Sequence, residues 1–209
     1  MTYQAFYSKE EQDFLIQFQQ DLHANPELSF EEYNTQKKII KALETIGVKE
    51  VRKIAGTGVI ARIKGTSSDT PVVAIRGDID ALPIHEDTGL DYASNNKGVM
   101  HACGHDVHAT WVLAAATILM KSPPKGDVVL LFQPAEEIAK GALKMIEEGA
   151  LDGVSAIIGG HVDRNYPIGQ VVAHNGAIAS SSDRFSITVK GKGGHGARPH
   201  ECQDPIPAA

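Results

Sequence analysis

Apolar residues recur at helical spacing in the first fifty positions of the chain. Ser8 and Glu11 fit a capping box, and the segment that follows them predicts an amphipathic helix. The apolar residues on one face of that helix are Phe14, Leu15, Phe18 and Leu22. Ser29 and Glu32 repeat the capping pattern and predict a second helix, which Gly47 is expected to close.

From about residue 48 onward, short apolar runs alternate with helical patterns. The predicted strands cover residues 48–54, 58–65, 71–80, 127–134 and 155–162, and the predicted helices cover residues 105–120 and 139–151. The run at 71–80 is apolar on both faces, as expected for a strand buried inside a sheet, and the runs at 127–134 and 155–162 are also interpreted as buried strands. This alternation predicts an α/β sandwich with a mostly parallel central sheet. In such sheets the chemistry gathers at the carboxyl ends of the strands.

The pattern of hydrophobic and polar residues changes near residue 180. A Ser-rich stretch around residues 179–182 predicts a domain boundary, with residues 1–180 in a first domain and residues 181–209 beginning a second. Residues 183–193 alternate as a half-exposed strand would, and Asp204 with Pro205 predicts the start of a helix. Because a lone strand and a helix start cannot fold as a domain, the sequence is expected to be incomplete.

Composition excludes several classes of protein. The 209 residues are 42% hydrophobic, which is enough for a substantial core. A net charge of -6 without a basic stripe argues against a nucleic-acid partner. The amino terminus lacks the pattern of a signal peptide, and the longest apolar run, WVLAAATILM, is too short to span a bilayer. We therefore expect a cytoplasmic protein with no membrane partner.

Residues able to bind a metal follow several of the predicted strands. Asp78 and Asp80 end one strand, the pair Glu136–Glu137 follows another, and His161 ends a third. The stretch GVMHACGHDVHAT adds Cys103 and His105 just before a predicted helix. Thiolate, imidazole and carboxylate together suit a borderline transition metal such as zinc, manganese, cobalt or nickel. Two such ions sharing one hydroxide would supply a nucleophile at neutral pH.

Each of these residues also has a simpler interpretation. Cys103 could be a small core residue, the two glutamates a solvated pair, Asp80 a turn residue and His161 a satisfied core histidine. Five such residues at predicted strand ends together favour a metal site over separate coincidences. His101 and His108 are expected near the site but not as ligands, and three other histidines are treated as ordinary surface or core residues: His23, His85 and His174.

The motifs taken together resemble one family. HANPELSFEE, RGDIDALPI, MHACGHDVHAT, FQPAEE, GGHV and GKGGHGARPH occur in the order found in the metal-dependent amidohydrolase branch of the aminoacylase/carboxypeptidase metallopeptidases. Hippurate hydrolases, N-acyl-amino-acid amidohydrolases and auxin-conjugate hydrolases belong to that branch. The resemblance implies a zinc-peptidase-like sandwich, followed by the start of an inserted α+β lid domain that mediates dimerisation.

The resemblance also implies roles for residues at matching positions. Glu136 corresponds to the general base, Asp80 to a carboxylate that orients the site, and His195 to a lid histidine that stabilises the oxyanion. The implied ligands of two divalent transition-metal ions (zinc, manganese, cobalt or nickel) are Cys103, shared by both ions, with His105, Glu137 and His161. Asp78 stands where carboxypeptidase-type relatives carry a metal-binding histidine.

The implied activity is hydrolysis of the amide bond of a small N-acyl amino acid by a metal-bound hydroxide. A dipeptidase or aminopeptidase of the same superfamily is the alternative, and a catalytically inactive metal-binding fragment is another. Since family members are roughly twice as long, a fifth ligand, a histidine, is expected beyond residue 209. The resemblance also implies a homo-oligomer formed through the lid. The segment DRNYPIG after GGHV departs from the usual apolar form, which puts the substrate pocket in question.

Overall fold

The computed structural model describes residues 6–173, 175–177, 180–181 and 185–209. The chain divides into two compact units, Met1–Asn165 and Tyr166–Ala209. The predicted boundary at residue 180 stays a prediction, because parts of the Ser-rich stretch lie outside the described residues, as does His174. No helix among the described residues is long and apolar enough to cross a membrane.

The described residues of the first unit contain four helices. They are α1 (Lys9–Ala24), α2 (Tyr33–Ile46), α3 (His105–Lys121) and α4 (Gly141–Glu147). The capping box of α1 is confirmed, since the Glu11 N–H donates to Ser8 Oγ and the Ser8 N–H donates to the Glu11 carboxylate. The left-handed Gly47 closes α2 as predicted. α4 is shorter than the predicted helix over residues 139–151.

The predicted capping box of α2 was wrong. The Ser29 hydroxyl donates to Asp80 Oδ2 at 2.7 Å, and the Glu32 side chain is fully buried and makes no cap hydrogen bond. The second and third N–H groups of the helix instead donate to Glu27, whose Oε2 lies 2.9 Å from Asn34 N and 2.7 Å from the next backbone nitrogen. Glu27 thus satisfies N–H groups of the first turn of α2, and the two predicted cap residues, Ser29 and Glu32, make other contacts.

Five strands form a mixed sheet. They are β1 (Glu50–Ile54), β2 (Gly58–Ile63), β3 (Val72–Asp78), β4 (Val128–Gln133) and β5 (Val154–Ile158), in the spatial order β1-β2-β4-β3-β5. β3 pairs in parallel with both β4 and β5, and β2 pairs antiparallel with β1 and β4. Among the described strands β2 alone runs against the others, so the predicted, mostly parallel α/β fold is confirmed.

Helices cover both faces of the sheet unequally. α1, α2 and α3 pack on one face over a large apolar core that includes Leu43, Leu113 and Phe132. A smaller cluster around Met145 of α4 covers part of the other face. α3 lies very close to β3, because a Cβ on Gly77 would come within 2.5 Å of the His108 carbonyl oxygen. This close approach brings the first turn of α3 to the carboxyl end of β3.

β5 is not the buried strand that its apolar sequence predicts. Ile157 and Ile158 are 52% and 61% exposed. The strand lies at the edge of the sheet and, among the described residues, pairs only with β3. Hydrophobicity shows that a face is suited to burial, but it does not specify the element that covers it.

The second unit contains little regular structure in its described residues. The strand predicted over residues 183–193 is absent from residues 185–191, and Lys192 makes only an isolated antiparallel bridge with Gln203. A strand needs a neighbour to complete its hydrogen-bond ladder, and the described residues of this unit provide none. Asp204 Oδ1 accepts from Ile206 N, but only a short 3-10 turn, Ile206–Ala208, follows.

Candidate metal centre

The candidate site lies at the carboxyl ends of the parallel strands. β3 leads into Asp80, β4 leads into the Glu136–Glu137 pair, and β5 leads into His161. The start of α3 brings His105 over the end of β3, with Cys103 just before it. The structure therefore brings together six of the seven predicted site residues, and all six belong to the first unit.

The ligand-type atoms lie close to one another. Cys103 Sγ is 3.3 Å from His161 Nε2, and His105 Nε2 is 3.7 Å from Glu137 Oε1 and 3.9 Å from Glu136 Oε2. The atoms of Cys103, His105 and His161 lie within 4.8 Å of one another, as do those of His105 and the two glutamates. The geometry thus contains two overlapping groups that could hold an ion and that share His105, one rich in sulfur and nitrogen, the other in carboxylate oxygen.

Asp80 orients both groups. Its Oδ1 lies 3.2 Å from His105 Nδ1, and its Oδ2 accepts from the Ser29 hydroxyl and, at 3.0 Å, from the Glu137 N–H. With the Nδ1 proton donated to this carboxylate, His105 keeps its Nε2 lone pair facing the site. A carboxylate behind a ligating imidazole is the usual way in which proteins fix the ring and its tautomer.

A left-handed residue separates β4 from the two glutamates. Ala135 has φ +50°, and its buried N–H donates to Glu32 Oε1 at 2.9 Å. Thr57 donates its hydroxyl hydrogen to the other oxygen of Glu32. The turn aims the two following side chains differently, because Glu136 is 42% exposed and Glu137 only 18%. One carboxylate faces the interior of the site and the other its mouth.

The negative charges dominate the electrostatics of the site. Burial and the charge of Glu137 raise the pKa of the Cys103 thiol to about 12. Burial lowers the pKa of His105, but the hydrogen bond to Asp80 and the charge of Asp78 outweigh it, and the net shift is upward. Burial also raises the pKa of Glu137. Each of these shifts would be reversed by a divalent cation placed among the ligand atoms.

Asp78 is held in place by a histidine and an arginine. Its Oδ1 lies 2.5 Å from His108 Nδ1 and its Oδ2 lies 2.7 Å from Arg76 Nη1. Burial raises its pKa, but the His108 hydrogen bond and the charges of His105 and Arg76 outweigh it and hold the pKa at about 2. Asp78, His105 and His108 are close enough to surround an ion, and Asp78 Oδ2, which is ion-paired with Arg76, lies 3.7 Å from His105 Nε2.

Two buried atoms indicate where a metal would bind. His105 Nε2 and Glu137 Oε1 have no hydrogen-bond partner among the described residues, and neither have Asp78 Oδ2, which is ion-paired with Arg76, and the two ring nitrogens of the nearby His101. Buried polar atoms normally have partners, and a cation bound between His105 Nε2 and Glu137 Oε1, which lie 3.7 Å apart beside a thiol, would satisfy both. The residues therefore fit a divalent ion, and the mixture of sulfur, nitrogen and oxygen donors suits a borderline transition metal.

Other supporting residues were not found from the sequence. His23, expected to be an ordinary histidine, is buried between Asp106 Oδ2 at 2.8 Å and Glu86 Oε1 at 3.2 Å. Its partners lie 83 and 63 residues away, so no local spacing could have indicated them. The hydrogen bond between His23 and Asp106 connects the end of α1 to the residue that follows His105.

The remaining predicted site residue, His195, lies in the second unit. There its Nδ1 accepts from the Ala197 N–H at 3.2 Å. Its assignment as an oxyanion-stabilising residue stays a prediction.

Comparison with known proteins identifies the family of the chain. The model of peptidase family M20/M25/M40 matches residues 74–206, nearly two thirds of the chain. The chain belongs to this family. N-acetylcysteine deacetylase of Bacillus subtilis is 48% identical over all of this chain and 54% of its own length. Thermostable carboxypeptidase 1 of Saccharolobus solfataricus is 45% identical over 95% of this chain and 51% of its own length.

A solved structure of the M20 family gives the same result. The YXEP protein of Bacillus subtilis, described as a dinuclear metal binding peptidase, is 48% identical to this chain and superposes with a TM-score of 0.74. The match covers 77% of this chain and 46% of that one. The resemblance inferred from the motifs and the fold class are thereby confirmed. The chain spans about half the length of the curated relatives it matches.

Proposed function

We propose that this M20-family chain carries the metal site of an amidohydrolase that cleaves the amide bond of N-acyl amino acids. The observation that carries the proposal is the pair of buried, partnerless atoms, His105 Nε2 and Glu137 Oε1, beside the Cys103–His161 contact. The deacetylase relative supports an acyl amino acid as the substrate class.

Four side chains of the first unit would hold two divalent transition-metal ions: Cys103, His105, Glu137 and His161. When bound, such ions activate water and polarise the substrate carbonyl. Cys103, which contacts the imidazole of His161 and the carboxylate of Glu137, would be the ligand shared by the two ions. Zinc, manganese, cobalt and nickel all suit this donor set.

Glu136 would act as the general base. It neighbours the ligand Glu137 but is more exposed, so it can reach a water molecule and a substrate at the mouth of the site. It would accept the proton of the attacking water and deliver it to the leaving amine. Asp80 would keep His105 and the backbone of Glu137 in place during that exchange. His195 remains our candidate for stabilising the oxyanion.

A peptidase is the second candidate function. The carboxypeptidase relative favours it, since that protein is nearly as similar to this chain as the deacetylase. Against it stands Asp78, whose oxygens are engaged by His108 and Arg76, at the position where carboxypeptidase-type relatives place a metal-binding histidine. A panel of N-acetyl amino acids, N-benzoyl amino acids and dipeptides would separate the two, with the acyl amino acids expected to be cleaved fastest.

The first experiment measures metal content in the purified chain beside a Cys103→Ser control. We expect about two ions per chain, lost in the control, because a neutral hydroxyl is a poor bridging ligand. Metal in neither protein, even after incubation with Zn²⁺, would contradict the site. Two ions in both proteins would remove Cys103 from the ligand set.

The second experiment tests the base. In the protein made from the complete reading frame, Glu136→Gln should retain the metals and lose about 10²–10⁴-fold in kcat. An unchanged rate would show that another group takes the proton. Metal binding without cleavage of any substrate in the panel would favour a catalytically inactive metal-binding protein. Formation of an oligomer through the second unit remains a separate prediction, which sedimentation of the same protein would test.

A further inference from the structure

His161 needs an explanation for its orientation. It follows an edge strand and is exposed, yet its Nε2 points at Cys103 Sγ from 3.3 Å. We infer that Asp78 and His108 form a positioning relay that fixes the backbone of Val162 and thereby holds His161 ready for a metal ion. The inference rests on the proposed function and adds to it two residues that touch neither metal nor substrate.

Val162 is the point at which three contacts meet. Its N–H donates to His108 Nε2 at 3.1 Å, and its carbonyl oxygen accepts from His161 Nδ1 at 2.7 Å. Its side chain lies against Gly104, where a Cβ would come within 2.4 Å of Val162 Cγ2. Gly104 separates Cys103 from His105. Val162 therefore connects His161, at the end of β5, to these two candidate ligands at the start of α3.

The hydrogen bonds fix the state of both rings. His161 gives its Nδ1 proton to a carbonyl oxygen, so Nε2 is left with a lone pair that faces Cys103. His108 faces the Asp78 carboxylate at Nδ1 and receives the Val162 N–H at Nε2. It therefore carries its proton on Nδ1 and acts as an acceptor at Nε2. If His108 instead carried its proton on Nε2, that N–H would face the N–H of Val162. The hydrogen bond that holds the Val162 backbone would then be lost.

Packing holds the relay rigid. His108 is fully buried, and its ring stacks on Trp111 with centroids 4.6 Å apart and planes 18° from parallel. The same indole lies against Gly160, where a Cβ would come within 3.1 Å of it. The far end of the relay is anchored by Arg76, which pairs with Asp78 and donates from Nε to Gln133 Oε1 at 2.9 Å. The relay thus runs from the centre of the sheet to its exposed edge.

Two substitutions at His108 separate the halves of the relay. Glutamine places an oxygen near the position of Nε2 and can still accept from Val162, whereas asparagine places its amide near Nδ1 and can still donate to Asp78. In Zn²⁺ or Co²⁺ titrations of the metal-free chain, His108→Asn should weaken one of the two ions by about 10–100-fold, the usual effect of losing an outer partner of a ligand. His108→Gln should stay closer to wild type, and the second ion should be unaffected in both variants.

A spectroscopic measurement and a helix control accompany the titration. The absorption band from the Cys103 thiolate to Co²⁺ should change in His108→Asn, because the ion bound beside the thiolate loses a correctly placed imidazole. Thr117→Val removes a buried hydroxyl from the same helix that only donates to the Leu113 carbonyl, and it should change neither affinity nor spectrum.

A second pair of variants tests the relay at its exposed end, should the His108 variants not fold. Val162→Pro deletes the N–H that His108 accepts, and Val162→Ala keeps it. The proline variant should reproduce the loss of one ion and the alanine variant should not.

The outcomes distinguish the relay from the site. Failure of the wild-type chain to bind metal would overturn the metal site and the relay with it. Two ions in the wild type with equal affinities in all four variants would overturn the relay alone. Equal loss of both ions from folded His108→Asn and His108→Gln would also overturn it, because it would assign His108 to general packing.

Discussion

His105 and His161 are both candidate ligands, but the chain supports them very differently. His105 is fully buried, begins the helix α3 that packs tightly against β3, and has its Nδ1 hydrogen-bonded to the Asp80 carboxylate. His161 is exposed, follows the edge strand, and has its Nδ1 on a backbone carbonyl one residue away. The His105 imidazole is fixed by side chains of the core, whereas the His161 imidazole is fixed by a hydrogen bond to the backbone of the next residue.

The difference follows from the position of the strands in the sheet. β3 has a paired strand on each side, so residues at its carboxyl end receive contacts from both directions. β5 pairs on one side only among the described residues, so His161 depends on Val162 and, through it, on His108. We expect substitutions in the buried half of the site to lower both the free energy of unfolding and the affinity for metal. Substitutions in the exposed half should lower the affinity for metal alone.

The most direct test replaces each histidine by leucine in the metal-free chain. His105→Leu should lower the free energy of unfolding by about 1–3 kcal/mol, because Asp80 Oδ1 loses its partner in a buried site. His161→Leu should change it by no more than about 0.5 kcal/mol, as is usual for an exposed side chain. Urea unfolding followed by circular dichroism provides both values. Equal losses would show that the two halves are equally part of the core.

Asp80→Asn sharpens the comparison on the buried side. An asparagine amide at the Oδ1 position would donate where the carboxylate accepts, so His105 would have to move its proton to Nε2 and present an N–H to the metal. We expect the affinity for Zn²⁺ to fall by about 10–100-fold. Calorimetric titration measures this, with Ser29→Ala as a milder control that removes a single hydrogen bond from the same carboxylate. Affinity equal to wild type would show that the tautomer of His105 is set elsewhere.

The smallest predicted effect concerns pH. Burial lowers the pKa of His23, but its hydrogen bonds to Asp106 and Glu86 outweigh burial and raise it above the ordinary value. A raised pKa in the folded state means that the stabilisation is complete below about pH 6.5 and is lost as the pH rises through the folded-state pKa. His23→Gln should therefore lower the free energy of unfolding by about 1 kcal/mol at acidic pH and by less at alkaline pH. A difference that is constant with pH would contradict this.

Sequence patterns located the candidate ligands because parallel strands impose a simple rule. Residues that follow β3, β4 and β5 meet at one edge of the sheet, so Asp80, Glu137 and His161 could be grouped before their distances were known. In the first unit, the order of the elements followed equally well from apolar periodicity.

Contacts between distant residues could not be predicted in the same way. Glu32 holds the backbone of Ala135 across 103 positions, and His108 holds Val162 across 54. Such contacts join a side chain to a backbone group, and every residue except proline offers the same N–H. Ser29 and Glu32 show the result, because their spacing fits a helix cap while their side chains serve the site instead.

The parallel pairing of β3 with β4 has a consequence for the order of folding. Asp80 lies at the start of the crossover between these strands, His105 lies near its middle, and Glu137 follows β4, so no local segment contains a complete site. Loop closure over such a distance costs entropy before any contact repays it, which makes parallel pairing a slow step. We therefore expect the ion to join a sheet that has already formed, as the last event in maturation and not as its nucleus.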